Sequence, residues 1–337
     1  MADTGLGQLV TTTGRAISRR LKDAVRDNHP VYMAMSENGG IQRKDGGYEI
    51  VEEAKSAQNE TVSWIGEAGA APLVDYRVLD AASFGWKYML ASVVYTLAER
   101  YKNSGGSDTK LIDLVAGKFE VAEDSMMNVF HAGMLSNGTG SGGLQLAGLA
   151  ALVSTTPTVG IVGGIDRSDA NAAWFRNTAA TSTTAVSANP NTAATILQFL
   201  DYFLDATSKA GKVQQQVALL GATHWRLANQ AIQSRQVIQN NNSDGKAGFD
   251  YIYYRGMKLH LSGGINYSGE SAQGVTTTFL LNTKRGGVNL VFHDKAEFDM
   301  LESIQSEDQA AISRLIFTMA AMTIGAHAKL CCVGYDG

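Results

Sequence analysis

The feature that most constrains the fold is an amphipathic run of about 30 residues, 107–136. Its apolar residues recur at alternating intervals of three and four and form one stripe on a helix: Ile112, Val115, Phe119, Ala122, Met126 and Val129. Ser107 is a candidate N-cap, and Asn137-Gly138 is a stop signal. Such a helix is about 45 Å long. Because the stripe lasts fewer than three heptads, the run predicts a helix across a sheet rather than a coiled coil.

The composition indicates long elements joined by hinges. The 337 residues include 36 glycines but only 4 prolines, against averages of about 7 % and 5 %, and the length suggests roughly two domains. A hydrophobic content of 45 % and a charged content of 18 % exclude general disorder. The net charge of −4 argues against a dedicated nucleic-acid binder, which usually carries a basic excess.

The cysteines and the N-terminus indicate the compartment. Cys331 and Cys332 are adjacent, too close for an ordinary disulfide and too few for a zinc site, so we predict buried free thiols in a reducing compartment. The first residues lack a signal peptide's basic head and apolar core. The low-charge run 315–328 is shorter than the ~20 residues of a membrane helix. We therefore expect a soluble protein made in a cytoplasm.

The sequence predicts two extended segments within residues 1–86, namely 1–45 and 46–86. Within the polar arm 1–45, a short amphipathic helix around Leu21 has a basic face, which is either solvated or in contact with nucleic acid or an acidic neighbour. Residues 46–86 contain strictly alternating apolar positions, as in 74–78, which predict strands. This stretch has too little nearby sequence to cover its aromatic residues. It either packs on the body or lies on another subunit, and we predict that Trp64 contacts a neighbour.

The search for catalytic motifs predicts no catalytic, cofactor or metal site. The segment 138–143 contains a formal GxGxxG, but it follows a helix, whereas a dinucleotide site needs a preceding strand. The sequence has no GxxxxGK[ST], HExxH, CxxC or GxSxG motif, and its histidines are scattered. Asp166, Arg167 and Asp169 in segment 163–177 could form a hydrolase site with His131 or His224. Without a nucleophile and base, a hydrogen-bonded turn at an interface is favoured.

The remaining sequence alternates helices and strands and then becomes rich in strands. Helices are predicted at 192–210 and, with Thr223 as cap, at about 223–237. Short apolar or alternating runs predict the following strands: 217–220, 257–261, 276–281, 288–293, 314–320 and 326–333.

By this order of elements the chain resembles the major capsid proteins of tailed bacteriophages, which have the Hong Kong 97 fold, an α+β architecture. The matching motifs are Ser136-Asn137-Gly138-Thr139-Gly140, Gly148-Leu149, Gly163-Gly164-Ile165-Asp166-Arg167 and Trp174-Phe175-Arg176-Asn177. The order matches over nearly the whole chain, and the motifs lie within about residues 107–177.

The resemblance implies a domain plan. Residues 1–45 would be an N-terminal arm and 46–86 the extended E-loop, reaching over a neighbouring subunit. Residues 87–143 and 271–337 would form the peripheral P-domain, with 107–136 as its spine helix. Residues 144–270 would form the axial A-domain.

The resemblance also implies a function. The chain would be a viral major capsid protein that assembles itself into hexamers and pentamers of an icosahedral shell around double-stranded DNA, contacted nonspecifically, in the virion after assembly in the host cytoplasm. Scaffolding, portal and possible decoration proteins would be partners. Some relatives carry a cleavable scaffolding segment, which the short arm lacks, so we expect a separate scaffolding protein. An encapsulin-like compartment shell and a hydrolytic enzyme are the alternatives.

The expected subunit contacts come from the E-loop and from segment 163–177. Some relatives cross-link a lysine to a neighbour's asparagine, and Lys55 is the only lysine between Gly46 and Trp86, but no partner asparagine can be assigned. The predicted interface residues are Lys55, Trp64, Tyr76, Asp166, Arg167, Trp174 and Arg176.

Overall fold

Two six-stranded sheets and one long helix make up most of the structure, which is a computed structural model. It describes residues 30–57, 61–62, 64–67, 78–99, 108–181, 192–208, 212–233, 251–262, 277–305 and 310–335. The helices are α1 (Pro30–Glu37), α2 (Asp108–Leu135), α3 (Gly140–Gly143), α4 (Leu149–Leu152), α5 (Ala193–Thr207) and α6 (Ala222–Gln233), with 3-10 turns at Ala170–Phe175 and Ala328–Leu330. The strands in the first half are β1 (Ile41–Lys44), β2 (Glu49–Lys55), β3 (Leu79–Gly85), β4 (Lys87–Thr96), β5 (Ile161–Val162), β6 (Ile165–Asp166) and β7 (Thr178–Thr181). The strands in the second half are β8 (Val217–Leu220), β9 (Tyr251–Tyr254), β10 (Met257–Leu261), β11 (Thr277–Leu281), β12 (Val288–His293), β13 (Asp299–Met300), β14 (Ile304–Gln305), β15 (Ala311–Ile324) and β16 (Cys332–Tyr335).

The first sheet is organised around β15. One side of β15 pairs antiparallel with β4, from Ala311 opposite Thr96 to Ala320 opposite Lys87. Its other side pairs in turn with β14, β13 and β12, and β1 adds to β12 in parallel. Residues 320–324 of β15 are all buried, whereas 311–319 include no continuous buried run. The observed strand is longer than the predicted 314–320. Its buried end was missed in the sequence because it lacks the alternation of apolar and polar residues that marks a half-buried strand.

The long helix packs an apolar face onto this sheet. Phe119, Met126 and Phe130 are buried, and the Phe130 ring lies 5.7 Å from Phe292 of β12. The predicted stripe is correct at Phe119 and Met126 but wrong at Val129, whose side chain is 59 % exposed. A repeat of 3.5 residues drifts around a straight helix of 3.6 residues per turn, so Phe130 takes the inward position. Ile112 and Val115 lie on α2, but their side chains are outside the described ones.

The second sheet has the order β7-β16-β11-β8-β10-β9 and carries α5 and α6. Thr192 caps α5 in a reciprocal capping box with Thr195, which confirms the helix expected from residue 192. Helix α6 already begins at Ala222, so Thr223 lies inside it and is not its cap. Instead, the carbonyl of Gly221 accepts the bond from Trp225 N at 2.9 Å.

Two strands that follow residue 271 pair with the second sheet rather than with the first. β11 pairs with both β8 and β16, so β11 and β16 belong to the sheet of β8–β10 and not to the first sheet. The predicted strand 326–333 is wrong, because a 3-10 turn occupies Ala328–Leu330 and the strand β16 begins only at Cys332. The sheet that a strand joins is decided by pairing between residues far apart in the chain, and local periodicity carries no information about this pairing.

The extended loop begins as a two-stranded ribbon. β2 and β3 pair antiparallel, with Glu49 opposite Gly85 and Lys55 opposite Leu79. Most of the alternating stretch 74–78, including Tyr76, lies outside the described residues, as does the predicted helix around Leu21.

Charged contacts attach the N-terminal elements to the two sheets. Arg43 of β1 donates from Nε and Nη2 to the buried Glu297 carboxylate, at 2.7 and 3.0 Å, and this bond raises the arginine pKa. Lys258 of β10 donates to Glu37 of α1 at 2.8 Å. Residues 30–44 are therefore integral to the folded body rather than a free arm.

The helix face gives a test of this packing. Phe119→Ala should lower the free energy of unfolding by ~3–5 kcal/mol, because a buried ring is lost. Val129→Ala should stay within about 0.5 kcal/mol, because its side chain is exposed. Urea unfolding of the unassembled protein measures both, and equal effects would contradict the observed orientation of α2.

Candidate functional site

A tight hairpin joins segment 163–177 to the base of the ribbon. Gly163 and Gly164 connect β5 to β6 with φ angles of 57° and 77°, the positive values that a type I′ turn requires. The Gly163 carbonyl accepts a bond from Ser83 N of β3 at 2.9 Å. A Cβ on Gly163 would lie 2.8 Å from Ala82 Cβ, so only glycine allows this approach.

Arg167 follows the hairpin and points into its own subunit. Its side chain is 0 % exposed, and Nη2 donates to the Leu152 carbonyl at 2.6 Å. Nη1 lies 3.4 Å from Asn177 Oδ1, and the guanidinium carbon lies 5.5 Å from the Phe175 ring centroid. Burial lowers the Arg167 pKa to about 10. Within the subunit this side chain therefore has no exposed surface.

The other polar residues of the segment hold the shape of the turn. Arg176 donates from Nε to the Arg167 carbonyl at 2.8 Å and from Nη2 to the Asp169 carbonyl at 2.9 Å. Asp166 accepts bonds from the backbone and hydroxyl of Ser168, both at 2.8 Å, and these bonds lower its pKa. Asp169 Oδ1 accepts from Asn171 N and caps the 3-10 turn.

This geometry favours the hydrogen-bonded turn over the hydrolase site. A carboxylate whose pKa is lowered by two donors stays ionised and is a poor general acid or base near neutral pH. His224 instead shares a hydrogen bond with Thr278 in the second sheet, at 2.8 Å. Neither Asp166 nor Asp169 bonds to a histidine within the described ranges.

The glycine-rich segment after α2 closes the long helix. Ser136 donates to the Leu146 carbonyl at 3.0 Å and accepts from Gly138 N at 3.1 Å. A Cβ on Gly148 would lie 2.4 Å from the carbonyl oxygen of Gly133, so the chain passes directly against the helix end. The segment leads out of a helix into the single turn α3, so it lacks the strand-to-helix setting of a phosphate-binding loop.

The ribbon and its tip expose an apolar surface. Trp64 is 105 % exposed, and Tyr48 and Val62 are 94 % and 84 % exposed. Trp174, in segment 163–177, is partly buried and packs 5.2 Å from Phe175. Of the other predicted contact residues, Lys55 ends β2 with its side chain outside the described ones, and Tyr76 is outside the described residues.

A second exposed apolar surface lies between α2 and β4, and sequence analysis did not predict it. A groove of about 540 Å³ is lined by Leu90, Val129 and Leu144, among others. An adjoining groove of about 490 Å³ is lined by Val94 and Val121. In the described part of the chain β4 pairs only with β15, so its other edge is open. The exposed valines resemble core residues in the sequence, and no local signal distinguishes them.

The described residues contain no helix that is both long and apolar enough to span a membrane. They also contain no group of three or more histidine, cysteine or acidic side chains arranged to hold a metal ion.

Known proteins resemble this chain in structure rather than in sequence. No protein-family model and no curated protein matches it. The capsid asymmetric unit of cyanophage A-1(L) matches 90 % of this chain and 92 % of its own, with a TM-score of 0.65 and 14 % identity. The chain has the Hong Kong 97-type capsid fold. The expected α+β fold class is thereby confirmed.

Two further capsids extend the likeness. The capsid of an empty GTA particle matches 90 % of this chain and 89 % of its own, with a TM-score of 0.53 and 10 % identity. The capsid of Myoviridae phage XM1 matches 89 % and 90 %, with a TM-score of 0.50 and 10 % identity. The Hong Kong 97-type fold is therefore shared across chains with very different sequences.

Both cysteines are buried, as predicted. Cys331 and Cys332 are 0 % exposed and free. Their side chains enter different cores, Cys331 with the first sheet and Cys332 with α5 and α6. Burial raises the pKa of Cys331 to about 11 and raises that of Cys332 as well.

Arg167 gives the first prediction for this region. Arg167→Ala should lower the free energy of unfolding of the unassembled protein by about 2 kcal/mol or more, since it leaves the Leu152 carbonyl without its donor and opens a cavity. Arg226→Ala, on the exposed side of α6, is the control and should stay within about 0.5 kcal/mol. Equal unfolding midpoints for the two variants would contradict the structural role of Arg167.

The two buried thiols give a second prediction. With the Cys331 pKa near 11 instead of 9.0, the folded thiol is roughly 0.1 % ionised at pH 8. Both thiols should react with 5,5′-dithiobis(2-nitrobenzoic acid) only after denaturation. Because the unfolded thiol loses its proton at lower pH than the folded one, stability should fall as pH rises from about 9 to about 11. Rapid labelling of the folded protein would contradict the burial.

Proposed function

We propose that this chain is a viral major capsid protein, which assembles into hexamers and pentamers of an icosahedral shell around double-stranded DNA. The observation that carries this proposal is the likeness to the cyanophage A-1(L) capsid, which extends over 90 % of this chain. We propose that the role of this chain is structural rather than enzymatic. The Asp166 carboxylate supports this proposal, because it accepts two hydrogen bonds from Ser168 within its own turn.

The two sheets support a proposed division into domains. The first sheet with α2 is the peripheral P-domain, and α2 is its spine helix. The second sheet with α5 and α6 is the axial A-domain, which includes β11 and β16 in addition to residues 144–270. The β2–β3 ribbon is the E-loop, and residues 1–45 are the N-terminal arm, whose last part is joined to the body by β1.

The exposed apolar surfaces support assembly. The ribbon tip around Trp64 and the grooves between α2 and β4 are different surfaces, and both are exposed in the described part of the chain. Contacts between two different surfaces of identical subunits are head-to-tail and generate rings when the rotation closes. Large exposed apolar patches mark such interaction sites. The E-loop of one subunit lies on a neighbour in this arrangement.

The contact residues and partners are proposed on the same basis. The subunit contacts include Lys55, Trp64, Tyr76, Asp166, Trp174 and Arg176. Scaffolding and portal proteins act in assembly, which takes place in the host cytoplasm before the protein becomes part of the virion.

Purified protein tests the function directly. Sedimentation and negative-stain electron microscopy should find closed particles of uniform size, and particles from the native source should contain DNA. A small oligomer under all assembly conditions would contradict the shell, and shells filled with protein cargo and no DNA would indicate a cellular compartment.

The Trp64 side chain provides a matched pair of variants. Trp64→Ala should reduce the particle yield severalfold, because buried aromatic anchors dominate interface energies. It should change the stability of the unassembled subunit by no more than about 0.5 kcal/mol, because the side chain is exposed there. Trp64→Tyr retains an aromatic ring and should assemble better than Trp64→Ala. Unchanged yield for Trp64→Ala would exclude a contact role.

A further inference from the structure

One end of the second sheet collects exposed cationic side chains from three separate loops. Lys212 lies before β8, Lys284 and Arg285 lie between β11 and β12, and Lys329 lies in the 3-10 turn before β16. All four side chains are exposed, and we call them the basic patch.

Hydrogen bonds hold the three loops together. The bonds are Gln215 Nε2 to Leu330 O at 2.7 Å, Asn282 Nδ2 to Gln214 O at 3.0 Å, and His327 N to Gly286 O at 2.7 Å. Gln215 and Asn282 are themselves buried. The backbone segments that carry the four charges are therefore held next to one another, although they are far apart in sequence.

Among the described residues, no carboxylate is paired with the patch. Within the described ranges, none of its four side chains forms an ion pair. Three acidic side chains of the described residues have other partners. Glu37 bonds to Lys258 and Asp205 bonds to Arg255, both at 2.8 Å. Asp169 is committed to its 3-10 turn. The patch is a local cationic surface on a chain with a net charge of −4.

We propose that the basic patch binds the phosphate backbone of double-stranded DNA, an inference that rests on the proposed function and assigns the shell's contact with the genome to these four residues. Lysine and arginine side chains without base-reading geometry contact phosphates and bind without sequence preference. An acidic segment of a second copy is the competing partner. It is less suited, because the described parts of these loops carry no large exposed apolar side chain, and protein interfaces need a dehydrated apolar centre.

The test measures binding of the full-length protein to a fluorescein-labelled 20-base-pair duplex by anisotropy at 50–200 mM salt. Four phosphate contacts give a slope of log K against log salt of about −3.6, a loss of roughly 100-fold over this range. Lys284→Gln/Arg285→Gln should reduce the slope to about −1.8. Arg226→Gln/Lys295→Gln removes two exposed charges outside the patch and should leave the slope unchanged.

The outcomes separate this inference from the proposed function. Equal slopes for the two double variants would overturn the DNA site. Normal DNA binding with impaired particle formation in the patch variant would also overturn it and would assign the patch to contact between copies. Closed particles observed by electron microscopy support the shell whichever result the anisotropy gives, whereas a failure to form particles would contradict the shell and not the site.

Discussion

The structure depends on one apolar core that α2 shares with both sheets. Phe130 packs against Phe292 and Phe298 of the first sheet's layer, and the same cluster includes Leu219 and Phe279 of the second sheet. Because interiors are close-packed, the helix and the two sheets cannot shift independently at this core. Segment 163–177 closes the core at one side with the buried Arg167, and its hairpin attaches the ribbon to this rigid body.

The same division explains how the molecule can be stable and still require partners. The core residues are covered within the subunit, whereas the ribbon tip and the grooves along the open edge of β4 expose apolar side chains. An open strand edge and exposed aromatic residues invite association with other chains. In the proposed shell these surfaces would be covered by identical subunits, and the features that are a liability in a monomer would be the contacts of the assembly.

Periodicity in the sequence predicted most of the long elements but not their arrangement. The position of α2, the start of α5 near residue 192 and the hydrogen-bonded turn in segment 163–177 could be predicted, because local spacing and turn chemistry determine them. The inward position of Phe130 instead of Val129 required the true helical pitch, and the pairing of β11 with β16 joins residues far apart in the chain. The burial of Arg167 could not be predicted, because a charged residue is buried only where the fold supplies acceptors such as the Leu152 carbonyl.

In the proposed shell, apolar surfaces that are exposed in one subunit are covered by other copies of the chain. Hydroxyl-radical footprinting of the tryptophan and tyrosine side chains, compared between unassembled subunits and closed particles, tests it most directly. We expect strong labelling of Trp64 and Tyr48 in the unassembled subunit and protection of Trp64 in the particle. The buried Trp86 should be weakly labelled in both states. Equal labelling of Trp64 in the two states would contradict the claim.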